Sequence, residues 1–173
     1  MLKSSRKIIQ GRYVMPKTIE YSFNGYAATV ITPDKPNGKW IWKTEFLYAF
    51  DKAEQALVED GYTRVNYKIS DMYGSYNAVR LMHAFHLDLL TRFPLCKKAN
   101  LFGFSRGGLY AFNYSLFYPE YVDKVYLDAP VLDLASWPWE DSPEQAGMLE
   151  EYCLTKDTLK KFRGSTVYNF KEF

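Results

Sequence analysis

Short apolar runs alternate with amphipathic segments along this chain, and their spacing predicts its strands and helices. Two β-rich runs, residues 18–23 and 26–32, flank the dipeptide Asn24-Gly25. That dipeptide between two such runs is typical of a two-residue hairpin turn. A third apolar run covers residues 39–43. The first part of the chain is therefore predicted to be a β-hairpin followed by a third strand.

Helical and strand patterns then follow each other in turn. Residues 51–60 predict a helix that Gly61 ends, and residues 77–93 predict a long helix that Pro94 ends. Four further elements are a fourth strand at 62–69, a fifth strand at 99–102, a helix at 109–117 and a sixth strand at 125–127. A hairpin followed by this alternation predicts an α/β protein with a mostly parallel sheet and helices on both faces.

The turn after the fifth strand carries the clearest chemical signal. Residues 103–108, which we call the elbow, read Gly-Phe-Ser-Arg-Gly-Gly. A strand, a G-x-S-x-G turn and a helix in that order are typical of a nucleophile elbow. The strand and helix backbones nearly touch there, so small residues are required, and Gly103, Gly107 and Gly108 supply them. We therefore predict Ser105 as a nucleophile whose hydroxyl awaits a base.

A serine nucleophile also needs hydrogen-bond donors for the negative charge that develops on the substrate oxygen. The backbone N–H of the residue after the nucleophile, Arg106, is predicted to be one oxyanion donor. The second is expected from the loop after the third strand, residues 42–45, and the backbone N–H of Lys43 is the specific prediction. Lys43 and Glu45 are either a charge pair or two solvated residues, and the second alternative is favoured.

In these motifs the chain resembles the α/β-hydrolase superfamily, over the N-terminal two-thirds of that fold. The resemblance extends beyond the elbow to residues 40–46, 71–75 and 127–131, which look like a bacterial, uncharacterised branch. It implies a serine esterase that acts on a small-molecule carboxylic ester through an acyl-enzyme on Ser105, with no cofactor. Residues 134–164 follow the sixth strand, where such hydrolases insert a cap.

The family pairs its serine with an acid and a downstream histidine, and no histidine follows Ser105 in this sequence. His83 and His86 both lie on the helix predicted at 77–93, where a partly exposed or core-packed role is favoured. His-x-x-His without a third ligand does not indicate a metal site. Asp128 is the candidate acid, with Asp133 second, although aspartate at a strand end also commonly begins a turn.

The family has eight strands, and the patterns predict six. The strand at 125–127 is apolar on both faces, which is typical of a strand between two neighbours rather than at an edge. We therefore expect residues 1–173 to form a single domain that lacks strands seven and eight, and this chain to be inactive or nearly so. A non-catalytic binding protein, a sheet completed by a second chain, and a serine peptidase of the same fold are the alternatives.

Composition excludes several other classes. The formal net charge is +2, with scattered Lys and Arg, which does not favour nucleic-acid binding. Cys96 and Cys153 have neither metal-site nor disulfide-framework spacing. No signal peptide or membrane span is apparent, which predicts a cytoplasmic protein without membrane contact if Met1 is the true start. Aromatic residues reach 18%; Trp137 and Trp139, with Trp40 and Trp42, either line a cleft or pack under a loop.

Overall fold

The computed structural model describes residues 16–161 of the chain. Its strands are β1 (Lys17–Phe23), β2 (Tyr26–Thr32), β3 (Trp40–Lys43), β4 (Thr63–Tyr67), β5 (Ala99–Phe104) and β6 (Val122–Asp128). Its helices are α1 (Lys52–Glu59), α2 (Tyr76–Arg92), α3 (Gly107–Phe117), α4 (Pro143–Glu151) and α5 (Lys156–Lys161). Both ends of the predicted 1–173 domain, and the end of the predicted segment 134–164, lie outside the described residues. No helix within the described range is long and apolar enough to cross a membrane.

The six strands form one sheet in the order β1-β2-β4-β3-β5-β6. The β1–β2 hairpin turns at Asn24-Gly25, where both residues have positive φ. β2 pairs antiparallel with β4, and β4, β3, β5 and β6 run parallel to one another. The predicted hairpin, strand order along the chain and mostly parallel sheet are confirmed.

Alternate residues of each parallel strand face opposite sides of the sheet, and the two sides differ in chemistry. Trp42, Val65 and Leu101 lie in one row and are buried against α2 and α3. Lys43 and Phe102 occupy the next row on the opposite side, where the Lys43 ammonium pairs with Glu54 of α1. Helices therefore cover both faces, with the main apolar core under α2 and α3.

The structure corrects the length of β6. The sequence pattern predicts three residues, and the strand spans Val122–Asp128 because its backbone pairs with β5 along that whole length. Asp123 and Lys124 are charged and exposed, so the apolar run does not include the first part of this strand. β6 is an edge of the described sheet, with Val125 39% and Tyr126 54% exposed.

His86 is fully buried in the main core, as its sequence context indicates. Its Nε2 donates to the carbonyl of Lys97, and its Nδ1 accepts from the hydroxyl of Tyr114, each at 2.8 Å. In the neutral imidazole, Nε2–H donates to the carbonyl and Nδ1 accepts from the hydroxyl, so both ring nitrogens have a hydrogen-bond partner. His83 stacks on the ring of Tyr118 at 3.8 Å.

This burial predicts a pH-dependent stability. Burial lowers the pKa of His86 from 6.5 to about 4. The unfolded chain therefore binds the extra proton first as the pH falls, and the free energy of unfolding decreases between those two values, by up to about 3 kcal/mol. We expect urea unfolding between about pH 4 and pH 7 to show this slope in the wild type and a shallower one in His86→Gln.

His83→Gln is the matched control, since that ring is only partly buried and should leave most of the slope in place. Equal slopes in wild type and His86→Gln would show that other groups cause the pH dependence.

Candidate active site

Ser105 connects β5 to α3 with a backbone φ of 52°, in the left-handed region that L-residues adopt at a cost. Three hydrogen bonds hold this conformation. The Ser105 N–H donates to the carbonyl of Asp128 at 3.0 Å, and the Ser105 carbonyl accepts from the N–H groups of Gly108 and Val131, both at 2.9 Å. The strained turn is therefore fastened to the end of β6 and to the residues that follow it.

Close packing explains the three glycines of the elbow. A Cβ would lie 2.9 Å from the Gly107 carbonyl oxygen if added at Gly103, and 2.9 Å from the Thr44 hydroxyl if added at Gly107. At Gly108 it would lie 2.5 Å from Cβ of Pro130. Each distance is shorter than a carbon atom tolerates, so any side chain there forces the elbow away from a neighbour.

The loop after β3 packs directly against the elbow. The Thr44 N–H donates to the carbonyl of Phe102 at 3.1 Å, and the Thr44 hydroxyl donates to the carbonyl of Gly107 at 2.8 Å. The backbone nitrogen of Glu45 lies 3.3 Å from the point that a Cβ on Gly107 would occupy. Among the loop amides, that of Glu45 therefore lies beside the start of α3.

The backbone of Lys43, the last residue of β3, faces the neighbouring strand β4 rather than the elbow. Its carbonyl accepts from the side-chain amide of Asn66 on β4 at 2.8 Å. The N–H and carbonyl of one strand residue point to the same side of the strand, so the Lys43 amide also faces β4. Its buried ammonium pairs with Glu54 and donates to the carbonyl of Ala49 at 3.1 Å.

Glu45 is also buried, at 3% exposure, and its Oε2 pairs with Nε of Arg106 at 3.0 Å. The expectation that Lys43 and Glu45 are solvated is therefore wrong. Each is buried with its own partner, because the loop turns back onto both the sheet and the elbow. A sequence pattern does not show that pairing, since 61 positions separate Glu45 from Arg106.

The candidate acids differ in their surroundings. Asp128 ends β6, its carbonyl holds the Ser105 N–H, and its side chain is exposed. The Asp133 carboxylate accepts from the N–H of Ala135 at 2.9 Å, so it serves as the turn residue of its own loop. Both nitrogens of His86 are engaged in the core. The structure thus brings Ser105, Arg106 and Glu45 together, and it does not bring His86 to them.

The segment after β6 packs on the loop between β4 and α2. Tyr152 donates its hydroxyl to the carbonyl of Tyr73 at 2.9 Å, and the ring of Trp137 contacts that of Tyr73. Trp139 is 73% exposed. Trp40 and Trp42, which the composition also suggested for a cleft, are buried in the main core. Across residues 16–161, no group of three or more His, Cys, Asp or Glu side chains is arranged to hold a metal ion.

Known proteins resemble this chain in structure rather than in sequence. No protein-family model and no curated protein sequence matches this chain. Among solved structures, a prolyl endopeptidase superposes with a TM-score of 0.59 at 13% identity over 90% of this chain and 27% of that one. The S-formylglutathione hydrolase FrmB from Staphylococcus aureus gives 0.55 at 18% identity over 86% of this chain and 71% of that one.

A thioesterase domain from the curacin biosynthetic pathway gives a TM-score of 0.52 at 17% identity, over 86% of this chain and 55% of that domain. Across four of the solved structures it matches, this chain spans 39–55% of their own length. Identities this low show the fold alone. Together with the helix-covered, mostly parallel sheet described above, these superpositions show that the chain has the α/β-hydrolase fold.

Proposed function

We propose that this protein is a serine hydrolase that cleaves carboxylic esters through an acyl-enzyme on Ser105. The observation that carries the proposal is the turn at Ser105: a strained residue at the carboxyl end of a parallel strand, held by three backbone hydrogen bonds immediately before a helix. Parallel sheets bind ligands at that edge. A serine is held at a backbone cost when its hydroxyl must stand clear of the fold.

In the proposed reaction, Oγ of Ser105 attacks the ester carbonyl carbon while a base takes the hydroxyl proton. The alcohol leaves with that proton, and water then cleaves the acyl-serine. We assign the two oxyanion donors to the backbone N–H groups of Arg106 and Glu45. The sequence pointed to Lys43 for the second donor, but that amide faces β4. Each such donor contributes about 3 kcal/mol in the transition state.

Within residues 16–161, neither histidine is placed to act as the base of this reaction. The chain has two histidines. His86 is engaged at both nitrogens in the core, and His83 stacks on Tyr118. We therefore expect the chain by itself to acylate slowly. Asp128 stays the proposed acid, because it ends the strand that holds Ser105, and residues 134–164 stay the proposed cap.

A missing base predicts chemical rescue. Incubating the 173-residue chain with a fluorophosphonate should label Ser105 slowly, since Oγ displaces fluoride from phosphorus only as its proton is removed. Added imidazole supplies that base, so the labelling rate should rise in proportion to imidazole concentration by tenfold or more. Peptide mapping by mass spectrometry locates the label, and Ser105→Ala should show none.

Ser115→Ala is the matched control, because that hydroxyl bonds to the carbonyl of Phe112 within α3. It should label as the wild type does. Absence of label on Ser105 at every imidazole concentration would instead favour a non-catalytic binding protein with the same fold.

The packing of the elbow yields a second prediction. In Gly107→Ala the new methyl would lie 2.9 Å from the Thr44 hydroxyl and 3.1 Å from Cβ of Glu45. The loop must move away, so we expect imidazole-dependent labelling to fall by about tenfold and the unfolding free energy by about 1–3 kcal/mol.

In Gly147→Ala, in α4, the new methyl would lie closest to the Tyr73 side chain, 2.9 Å from its hydroxyl oxygen. It serves as the control for a comparable clash away from the loop. Equal losses of labelling in the two variants would contradict a specific role for the loop after β3.

A further inference from the structure

One ion pair joins the two backbone segments from which the proposed oxyanion donors come. Oε2 of Glu45 accepts from Nε of Arg106 at 3.0 Å. The Glu45 carboxylate is almost fully buried, and the Arg106 side chain is 24% exposed. Arg106 belongs to the elbow, the backbone nitrogen of Glu45 lies beside it, and each of the two residues contributes its side chain to the ion pair.

We propose that the Glu45–Arg106 ion pair is a positioning device that holds the loop after β3 against the elbow. The inference rests on the proposed function for its chemical meaning, because the amides it fixes are the two proposed oxyanion donors. In this proposal, neither side chain forms a bond to the substrate or transfers a proton. The pair acts by fixing where the two N–H groups point before substrate arrives.

The loop needs such a fastening because its next residue is strained. Phe46 has a φ of 54°, a left-handed conformation that a bulky residue keeps only where its surroundings enforce it. Its ring lies 5.7 Å from that of Phe104 and 5.1 Å from the guanidinium of Arg106. Arg106 therefore pairs with the carboxylate of Glu45 and also lies over the ring of Phe46, the strained residue that follows it.

A contribution to overall stability explains this arrangement less well. Burying a carboxylate costs desolvation energy that a single ion pair often only offsets, so a buried pair is weak evidence for stabilisation. What such a pair does supply is a defined geometry. The guanidinium also suits its two contacts, since it can donate from Nε while its plane covers an aromatic ring, which an ammonium cannot reproduce.

Hydrogen exchange measured by mass spectrometry on the full chain tests the inference without requiring catalysis. In Glu45→Gln and in Arg106→Lys we expect the amides of residues 43–50 and 105–108 to exchange at least about tenfold faster than in the wild type. The charge-reversed double variant E45R/R106E should recover part of the protection. Circular dichroism identifies any variant that fails to fold, and the other variant then decides.

Asp88→Asn is the matched control, because it removes a short ion pair on α2, Asp88 to Arg92 at 2.7 Å. It should leave exchange in the loop and elbow unchanged. Unchanged exchange in both Glu45→Gln and Arg106→Lys would overturn the inference, as would an equal acceleration in Asp88→Asn.

Imidazole-dependent labelling separates this inference from the proposed function. We expect Glu45→Gln to label about tenfold more slowly than the wild type, with its melting temperature little changed. Faster exchange without slower labelling would overturn the link to the oxyanion donors. If the wild type is not labelled but the exchange result holds, the ion pair still fastens the loop and it is the proposed function that fails.

Discussion

The strained turn at Ser105 is the constraint on which the rest of this site depends. A serine at positive φ is stable only because its N–H and carbonyl are both bonded to residues at or just after the end of β6, and because glycines let α3 pack closely on β5. The parallel pairing of β5 with β6 is therefore part of the site. It supplies the Asp128 carbonyl that receives the Ser105 N–H.

Three buried or partly buried ion pairs lie near the elbow, which the small net charge of the chain does not indicate. Lys43 pairs with Glu54, Arg64 with Asp51 and Glu45 with Arg106, and all three pairs flank the segment between β3 and α1. The Lys43–Glu54 and Arg64–Asp51 pairs lie on the α1 side of the sheet and connect the start of α1 to strands β3 and β4. The third reaches across to the elbow. A loop held at both ends in this way keeps its amides in place, which is the property that an oxyanion site requires.

Much of the fold follows from local sequence. Asn24-Gly25 predicts the hairpin because few dipeptides adopt two consecutive positive φ values, and the elbow is recognisable because glycine spacing reports the close approach of two backbones. What local sequence does not reveal is long-range pairing. The sequence around Glu45 indicates a solvated loop residue, because its partner Arg106 is distant in the chain and is brought to it only by the fold. Likewise, β6 is longer than the apolar run at 125–127, because its backbone hydrogen bonds with β5 extend the strand in both directions.

A crystal structure of the chain after reaction with a fluorophosphonate would test the proposed oxyanion site directly. If the elbow and the loop after β3 form the oxyanion site, phosphorus is bonded to Oγ of Ser105. One phosphonyl oxygen then lies about 2.7–3.1 Å from the backbone nitrogens of both Arg106 and Glu45. A phosphonyl oxygen directed to solvent, or an adduct on another residue, would contradict it.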